Sequence, residues 1–316
     1  MSDARNILIV DPVHPVLFEK LSEHYKVTQR ITPDSETLKE LISQADAIVI
    51  RSGVRLTADI LNSAPRLRVI ARAGAGIDNI DLQTARARRI CVFNVPDSSS
   101  TSVAEFTFAL ILAVARKVAL ADRQIRLGQW RKAELCGLEL NGKTIGIVGL
   151  GRIGTHVCRI ARGFGMRVIA SVGKPIKDRI SAAAAEGIEM LPNDAVLRNA
   201  DVVSLHVPLT DETKHLINAE AIDTMKRSAI LVNVSRGGVV DERALEVALR
   251  NCRIVAAATD VFVREGQPSP LLGLDNLVAT PHIGAMTEDA QRRIAEIVQD
   301  NLVRALKGEK VVNRVA

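Results

Sequence analysis

The segment that most constrains the fold is a β-branched run that ends in glycines. Thr144-Ile145-Gly146-Ile147-Val148 leads without a spacer into Gly149-Leu150-Gly151-Arg152-Ile153-Gly154, and then into a helical pattern from Thr155 to Gly163. A strand that turns this tightly into a helix reads as the start of a β-α-β unit, because parallel strands need a crossover and the usual crossover is a helix. The rest of the chain follows the same scheme. Short runs at Ile7 to Val10, Ala47 to Ile50, Arg68 to Ala71 and Cys91 to Asn94 alternate with helical stretches. A second series follows the glycines at Arg167 to Ala170, Val202 to His206, Ala229 to Val234, Ile254 to Asp260 and Leu277 to Thr280. The pattern predicts an α/β protein with two doubly wound parallel sheets, and 316 residues is more than one core usually fills. Between the two series, Ser102 to Leu120 is apolar over most of its circumference and is expected to be one long buried connector helix. Thr287 to Lys307, with Ile294, Ile297, Val298, Leu302 and Leu306 at helical spacing, is expected to be amphipathic.

Composition narrows the function classes. Hydrophobic residues at 47% and charged residues at 25% match a globular protein and argue against a disordered one. The net charge of +6 is spread without a basic block and aromatics are only 3%, which favours small anionic ligands over nucleic acid. Cys91, Cys136, Cys158 and Cys252 are scattered, suggesting neither a disulfide framework nor a zinc site, and no metal is expected. The apolar run after Arg5 is too short for a signal-peptide core, and Phe106 to Ala115 is about half a membrane span. A cytoplasmic protein with no membrane partner is expected.

The glycine turn carries its own chemistry. Gly149 permits the tight turn, Gly151 lets backbone approach a pyrophosphate, and Gly154 lets helix pack on strand. Arg152 and Ile153 open the helix, whose N-terminal N–H groups and dipole favour phosphate. The reading is a dinucleotide site. An acidic residue about twenty positions on normally bonds the ribose 2′-hydroxyl of NAD. Here the strand runs out through Ala170-Ser171-Val172-Gly173-Lys174, with no carboxylate before Asp178. Ser171 and Lys174 suit a 2′-phosphate, so NADP is favoured over NAD; the alternative is a solvated Lys174 and a ribose held by backbone.

Open α/β sheets bind ligands beyond the carboxyl ends of their strands. Arg236, Glu265 and His282 each follow such an end. Together they suit hydride transfer at an oxygen-bearing carbon. The histidine gives or takes the hydroxyl proton, the carboxylate fixes its tautomer and favours its charged form, and the arginine holds a substrate carboxylate bidentately. Singly, His282 could cap a turn, Glu265 could be a loop carboxylate, and Arg236 could pair with Asp241. His206, in Leu205-His206-Val207-Pro208, also ends a strand but has no partner at matching spacing, and is read as a cofactor contact.

These residues resemble the D-isomer-specific 2-hydroxyacid dehydrogenases over nearly the whole chain. The likeness includes Arg72-Ala73-Gly74-Ala75-Gly76-Ile77-Asp78-Asn79-Ile80-Asp81, Ser102-Val103-Ala104-Glu105, the glycine turn, His206-Val207-Pro208-Leu209, Asn233 to Glu242, Asp260-Val261-Phe262 and Pro281-His282-Ile283-Gly284-Ala285. The resemblance implies a flavodoxin-like substrate domain of residues 1–98 plus 287–316 and an inserted Rossmann nucleotide-binding domain of residues 99–286. It implies a catalytic set at Arg236, Glu265 and His282. A substrate carboxylate would be received by backbone around Ala73, Gly74 and Ala75, with Asp260, Thr210 and Thr213 near the cofactor. A homodimer through the nucleotide domain is implied too. Within the family, Arg51, with Ser52, resembles the position where the 3-phosphoglycerate branch carries an arginine, and Lys132, after Trp130, is read as a second cation for the same anion. The substrate expectation is therefore a small D-2-hydroxy or 2-keto acid, with 3-phosphoglycerate leading and hydroxypyruvate or glyoxylate next. The family aspartate falls on Val172, and an asparagine common in the Pro-x-x-Asn turn falls on Ser99. The sequence stops at Ala316, so the regulatory domains of longer relatives, and serine feedback through them, are not expected. A dinucleotide-sensing scaffold or corepressor is the rival from another class, and formate oxidation is disfavoured because formate lacks a carbon-bound hydroxyl for the Glu265–His282 pair to serve.

Overall fold

The structure is a computed structural model that describes residues 5–173 and 185–316. The chain divides into two compact units, one of residues up to Ser99 together with Met286–Ala316, the other Ser100–Ala285.

The first unit holds five parallel strands: β1 (Asn6–Ile9), β2 (Lys26–Gln29), β3 (Ala47–Ile50), β4 (Val69–Arg72) and β5 (Cys91–Asn94), in the order β2-β1-β3-β4-β5. The inner strands read as unbroken apolar runs because both of their faces are covered. Leu8, Ile48 and Ile70 pack with Leu38, Ile42 and Leu61 on one side. Ile7, Ile9, Val49 and Val69 pack with Leu17 and Leu21 on the other, where Ile294, Val298, Leu302 and Leu306 of the last helix, Glu288–Lys307, join them. The apolar stripe of that helix thus belongs to the first sheet, and its N-cap is Thr287. β2 escapes sequence detection for a physical reason. It is an edge strand whose Lys26, Thr28 and Gln29 are exposed, so it carries no apolar run.

Among its described residues the second unit holds seven parallel strands: β6 (Thr144–Val148), β7 (Arg167–Ser171), β8 (Glu189–Met190), β9 (Val202–Leu205), β10 (Ile230–Asn233), β11 (Ala256–Thr259) and β12 (Leu277–Ala279). Their order is β12-β11-β10-β9-β6-β7-β8, which reverses direction at β6 and places a switch point between β6 and β9. The two-residue β8 is too short to leave a sequence signal.

The expected single helix from Ser102 to Leu120 is corrected. The chain forms two helices, Ser100–Ala115 and Val118–Arg126, parted at Lys117, whose φ of 53° is left-handed. The amide of Leu138 donates to the Ala115 carbonyl at 2.7 Å, and Lys117 Nζ reaches the Glu134 carbonyl at 2.8 Å. The Ala115 carbonyl and the Lys117 ammonium at the break are thus both engaged by a segment some twenty residues on, which no local pattern announces. The first helix is buried at Val103, Ala104, Phe108 and Ile111, and Phe108 stacks on Phe164 with ring centroids 5.1 Å apart. No helix among the described residues is long and apolar enough to cross a membrane, and no three His, Cys, Asp or Glu side chains among them cluster as metal ligands would.

Candidate active site

β6 ends in the glycine turn. Gly149 has φ 101°, and a Cβ there would lie 2.8 Å from the His206 carbonyl, so only glycine serves. The helix begins at Arg152, earlier than the expected Thr155, with Gly151 as N-cap and no side chain capping it. A Cβ on Gly154 would overlap the Gly149 carbonyl, which holds the helix close to the strand. A Cβ on Gly151 would meet nothing within 4 Å. The turn therefore presents uncapped helix amides and an open face at Gly151, the arrangement that a pyrophosphate fits. Arg152 is exposed there, while Ile153 is half-buried and packs on the core.

The neighbouring strand ends build the remainder of this surface. His206 is half-buried; Nε2 shares a 2.9 Å hydrogen bond with Ser204 Oγ, a partner absent from the expectation. Burial pushes the ring down to about 3, so it stays neutral, and its buried Nδ1 has no partner among the described residues. The signal for Ser204 was the period of two that puts residues 204 and 206 on one face of the strand. Val207 lies against Gly149, and Pro208 offers its carbonyl to Thr213 Oγ1 at 2.6 Å. Thr213 also receives the Thr210 amide at 2.8 Å, so its hydroxyl builds this loop. Ser171 is the buried last residue of β7 and donates to Asn193 Oδ1 at 3.2 Å. Val172 is half-buried and Lys174 lies outside the described residues.

Arg236, Glu265 and His282 follow β10, β11 and β12. His282 Nδ1 and Glu265 Oε1 are 2.7 Å apart, and both line a cavity of about 300 Å³ with Phe262, Gln267, Leu272 and Thr280. His282 has φ 56°, a left-handed conformation that is costly outside glycine. Asp260, 2% exposed, holds it there. Its carbonyl receives the His282 amide at 2.8 Å, and its carboxylate accepts from Thr280 Oγ1 (2.6 Å), the Ile283 amide (2.9 Å) and the Gly284 amide (2.8 Å). Asn233 shapes the Arg236 loop in the same way, donating from Nδ2 to the Arg236 carbonyl at 2.9 Å and accepting the Ser235 amide and hydroxyl. Arg236 Nη1 donates to the Ser235 carbonyl at 2.7 Å. Asp241, the alternative partner for Arg236, uses Oδ1 to cap the helix Glu242–Arg250. Gly237 is pressed on the Phe262–Val263 peptide so closely that any Cβ would overlap it, which joins the arginine loop to the loop that carries Glu265.

In the first unit, the loop after β4 runs through Ala73, Gly74 and Ala75. Gly74 has φ 150°, and a Cβ on it would overlap the buried Arg72 guanidinium. Asn94 Nδ2 donates to the Ala75 carbonyl at 2.6 Å, while the amides of Ala75 and Gly76 donate to no group among the described residues. Arg51 follows β3. Its amide is held by the buried Asp11 carboxylate, and its guanidinium donates to the Pro12 carbonyl at 3.2 Å, 3.2 Å also from Met286 Sδ. Burial lowers its basicity, against the opposing pull of Asp11. Ser52 beside it is exposed, and buried Ser99 ends the unit's first segment. Lys132 is exposed in a 3-10 turn, Lys132–Leu135, of the second unit.

Comparison with known proteins gives this arrangement its family. The family model for the "D-isomer specific 2-hydroxyacid dehydrogenase, NAD binding domain" matches residues 108–284. A D-3-phosphoglycerate dehydrogenase of Methanocaldococcus jannaschii is 43% identical over 98% of this chain and 59% of its own length, so the chain spans about three fifths of that relative. A hydroxypyruvate reductase of Thermotoga maritima is 43% identical over 88% of this chain and 90% of its own. The crystal structure of an NADPH-dependent glyoxylate/hydroxypyruvate reductase from Sinorhizobium meliloti, in complex with NADP and malonate, superposes with a TM-score of 0.87 at 27% identity, covering 99% of this chain and 97% of that one. With more than half of the chain inside the family model, and relatives above 40% identity along it, the protein belongs to the D-isomer specific 2-hydroxyacid dehydrogenases.

Proposed function

We propose that the protein transfers a hydride reversibly between a nicotinamide dinucleotide and a small D-2-hydroxy acid, with 3-phosphoglycerate the leading substrate. The observation that carries this reading is the 2.7 Å pair of His282 Nδ1 and Glu265 Oε1 at adjacent strand ends, beyond the glycine turn's sheet. With Nδ1–H donated to the carboxylate, Nε2 is the nitrogen left to protonate a carbonyl oxygen on reduction and to take the hydroxyl proton on oxidation. Arg236 receives the substrate carboxylate and polarises the carbonyl. When bound, the nicotinamide supplies or accepts the hydride. Gly149, Gly151, Arg152, Ile153 and Gly154 would hold its pyrophosphate, with His206, Val207, Pro208, Thr213 and Asp260 beside the remainder. In this reading the second unit is the nucleotide-binding domain, and the first, with the last helix, is the substrate domain.

NADP is the favoured form, since β7 runs into Ser171 and Val172 without a carboxylate to repel a 2′-phosphate. Arg51 and Ser52 are the proposed phosphate contacts. Hydroxypyruvate or glyoxylate is the second reading, because likeness to the hydroxypyruvate reductase is as high, at 43%. The working form is read as a cytoplasmic homodimer. Val118, Ile125, Leu127 and Trp130, the last 84% exposed, are the exposed apolar side chains that we propose a second copy covers. A panel of 2-keto acids, with and without phosphate, against NADH and NADPH tests the assignment. His282→Ala should lower kcat by roughly 10²- to 10⁴-fold while cofactor affinity stays. Near wild-type turnover in that variant would sink the mechanism, and a clear NADH preference would sink the NADP assignment.

A further inference from the structure

The loop that joins β11 to β12 contains no helix or strand, yet it must present Glu265 to His282 within hydrogen-bond distance. Val263 to Gln267 are all exposed, so packing beyond the Gly237 contact at Phe262–Val263 does little to set the position of Glu265. One carboxylate from another element grips the loop on both sides of it. Glu242 Oε1 accepts the Val263 amide at 2.7 Å, and Glu242 Oε2 accepts the Ser269 hydroxyl at 2.9 Å. Ser269 Oγ in turn accepts the amide of Leu271, which is anchored in the core.

Glu242 is well placed for this task. It is the first residue of the helix Glu242–Arg250, which Asp241 caps and which buries Leu245, Ala248 and Leu249 against the sheet. A negatively charged side chain in the first turn is complemented by the helix dipole. Both partners are donors, and an ionised carboxylate is the side chain that accepts with both of its ends. The same segment leads back through the Gly237–Val239 turn to Arg236.

We infer that Glu242 is a positioning residue: it bridges the two sides of the Glu265 loop and holds Glu265 on His282, in register with Arg236. The inference rests on the proposed proton-transfer role of the Glu265–His282 pair. It assigns a task to a side chain that need not touch substrate or cofactor.

A double-mutant cycle tests it, with kcat, KM, the pH profile of kcat/KM and cofactor Kd measured for each variant. Glu242→Ala should lower kcat by about ten- to a hundredfold, since a small misplacement of a reacting group costs that much. Cofactor Kd should stay unchanged, and the pH limb should move in the same direction as in Glu265→Gln. Glu242→Gln, which keeps one acceptor, should recover part of the loss, and Ser269→Ala should show a smaller loss of the same kind. In the Glu265→Gln background the Glu242→Ala loss should vanish to within about twofold, as it does when one residue acts through another. A full, additive loss in that background, or unchanged kcat in Glu242→Ala, overturns the inference. If Glu242→Ala does not fold, the Gln and Ser269 variants carry the same cycle. Unchanged turnover in Glu265→Gln itself would instead strike the proposed function, so the two failures are distinguishable.

Discussion

The second sheet ends in two different ways. After β6 the proposed site is main chain: uncapped helix amides, an open face at Gly151, and a glycine at φ 101°. After β10, β11 and β12 it is side chains, each held by another side chain or carboxylate: Arg236 through Asn233, His282 through Asp260, Glu265 through Glu242. A main-chain site needs only the right residues in a short stretch, because peptide groups supply the donors. A side-chain site needs precise placement of groups that are remote in sequence, and so requires a supporting frame.

Substitutions can break either half of this contrast. The largest effect is expected from Gly237→Ala. Its Cβ would overlap the Phe262–Val263 backbone, which cannot swing aside as a side chain could. Overpacking of this kind costs about 1–3 kcal/mol. The upper end should apply here, read as a fall in Tm together with a fall in kcat/KM. An unchanged Tm would mean that the two loops are not pressed together.

Asp260→Asn comes next. The amide nitrogen would face the Ile283 or Gly284 N–H, donor against donor in a buried turn, at a cost of about 1–3 kcal/mol. Lower stability with reduced kcat is expected, and wild-type turnover would show that the His282 turn holds itself. Gly151→Ala tests the main-chain half. It meets no protein atom, so Tm should not move, while cofactor affinity should fall by about tenfold, or 1.4 kcal/mol. Titration of cofactor fluorescence decides it, and unchanged affinity would remove the pyrophosphate from this turn.

The smallest effect is on pH. Burial depresses His206 to about 3 in the folded protein, against 6.5 when free. The unfolded chain therefore takes up a proton that the folded protein refuses, and stability falls as pH drops from 6.5 toward 3. Between pH 7 and pH 6 the loss should be about 0.7 kcal/mol by denaturant unfolding. His206→Gln should show a shallower decline, and equal slopes would refute the assignment.

Legibility in the sequence followed range. The glycine turn was largely readable, because Gly154 packs on Gly149 and Ile147 within the same short stretch, whereas the His206 carbonyl against Gly149 and the helix start at Arg152 were not. The strand ends bearing Arg236, Glu265 and His282 were readable because apolar runs mark the inner strands of a parallel sheet. Glu242 and Asp260 lay in readable stretches, but nothing local says that Glu242 reaches Ser269, or that Asp260 spends its carboxylate on residues 280 to 284. Lys117 carried no breaking signal, since the apolar pattern crosses it and the partner for Ala115 is Leu138. Ser171 was read as a cofactor group from position and Thr213 through the resemblance; that their hydroxyls donate to Asn193 Oδ1 and the Pro208 carbonyl was not legible locally.

The amino-acid order by itself thus determined the inner strands of two parallel sheets, the glycine turn and the three polar residues beyond the strands, because hydrophobic period and glycine stereochemistry act over a few residues. Only the tertiary structure decided how those polar residues are held. Hydrogen bonds between loops depend on where strands end in space, and Glu242 meets Val263 and Ser269 only after β10 and β11 have paired.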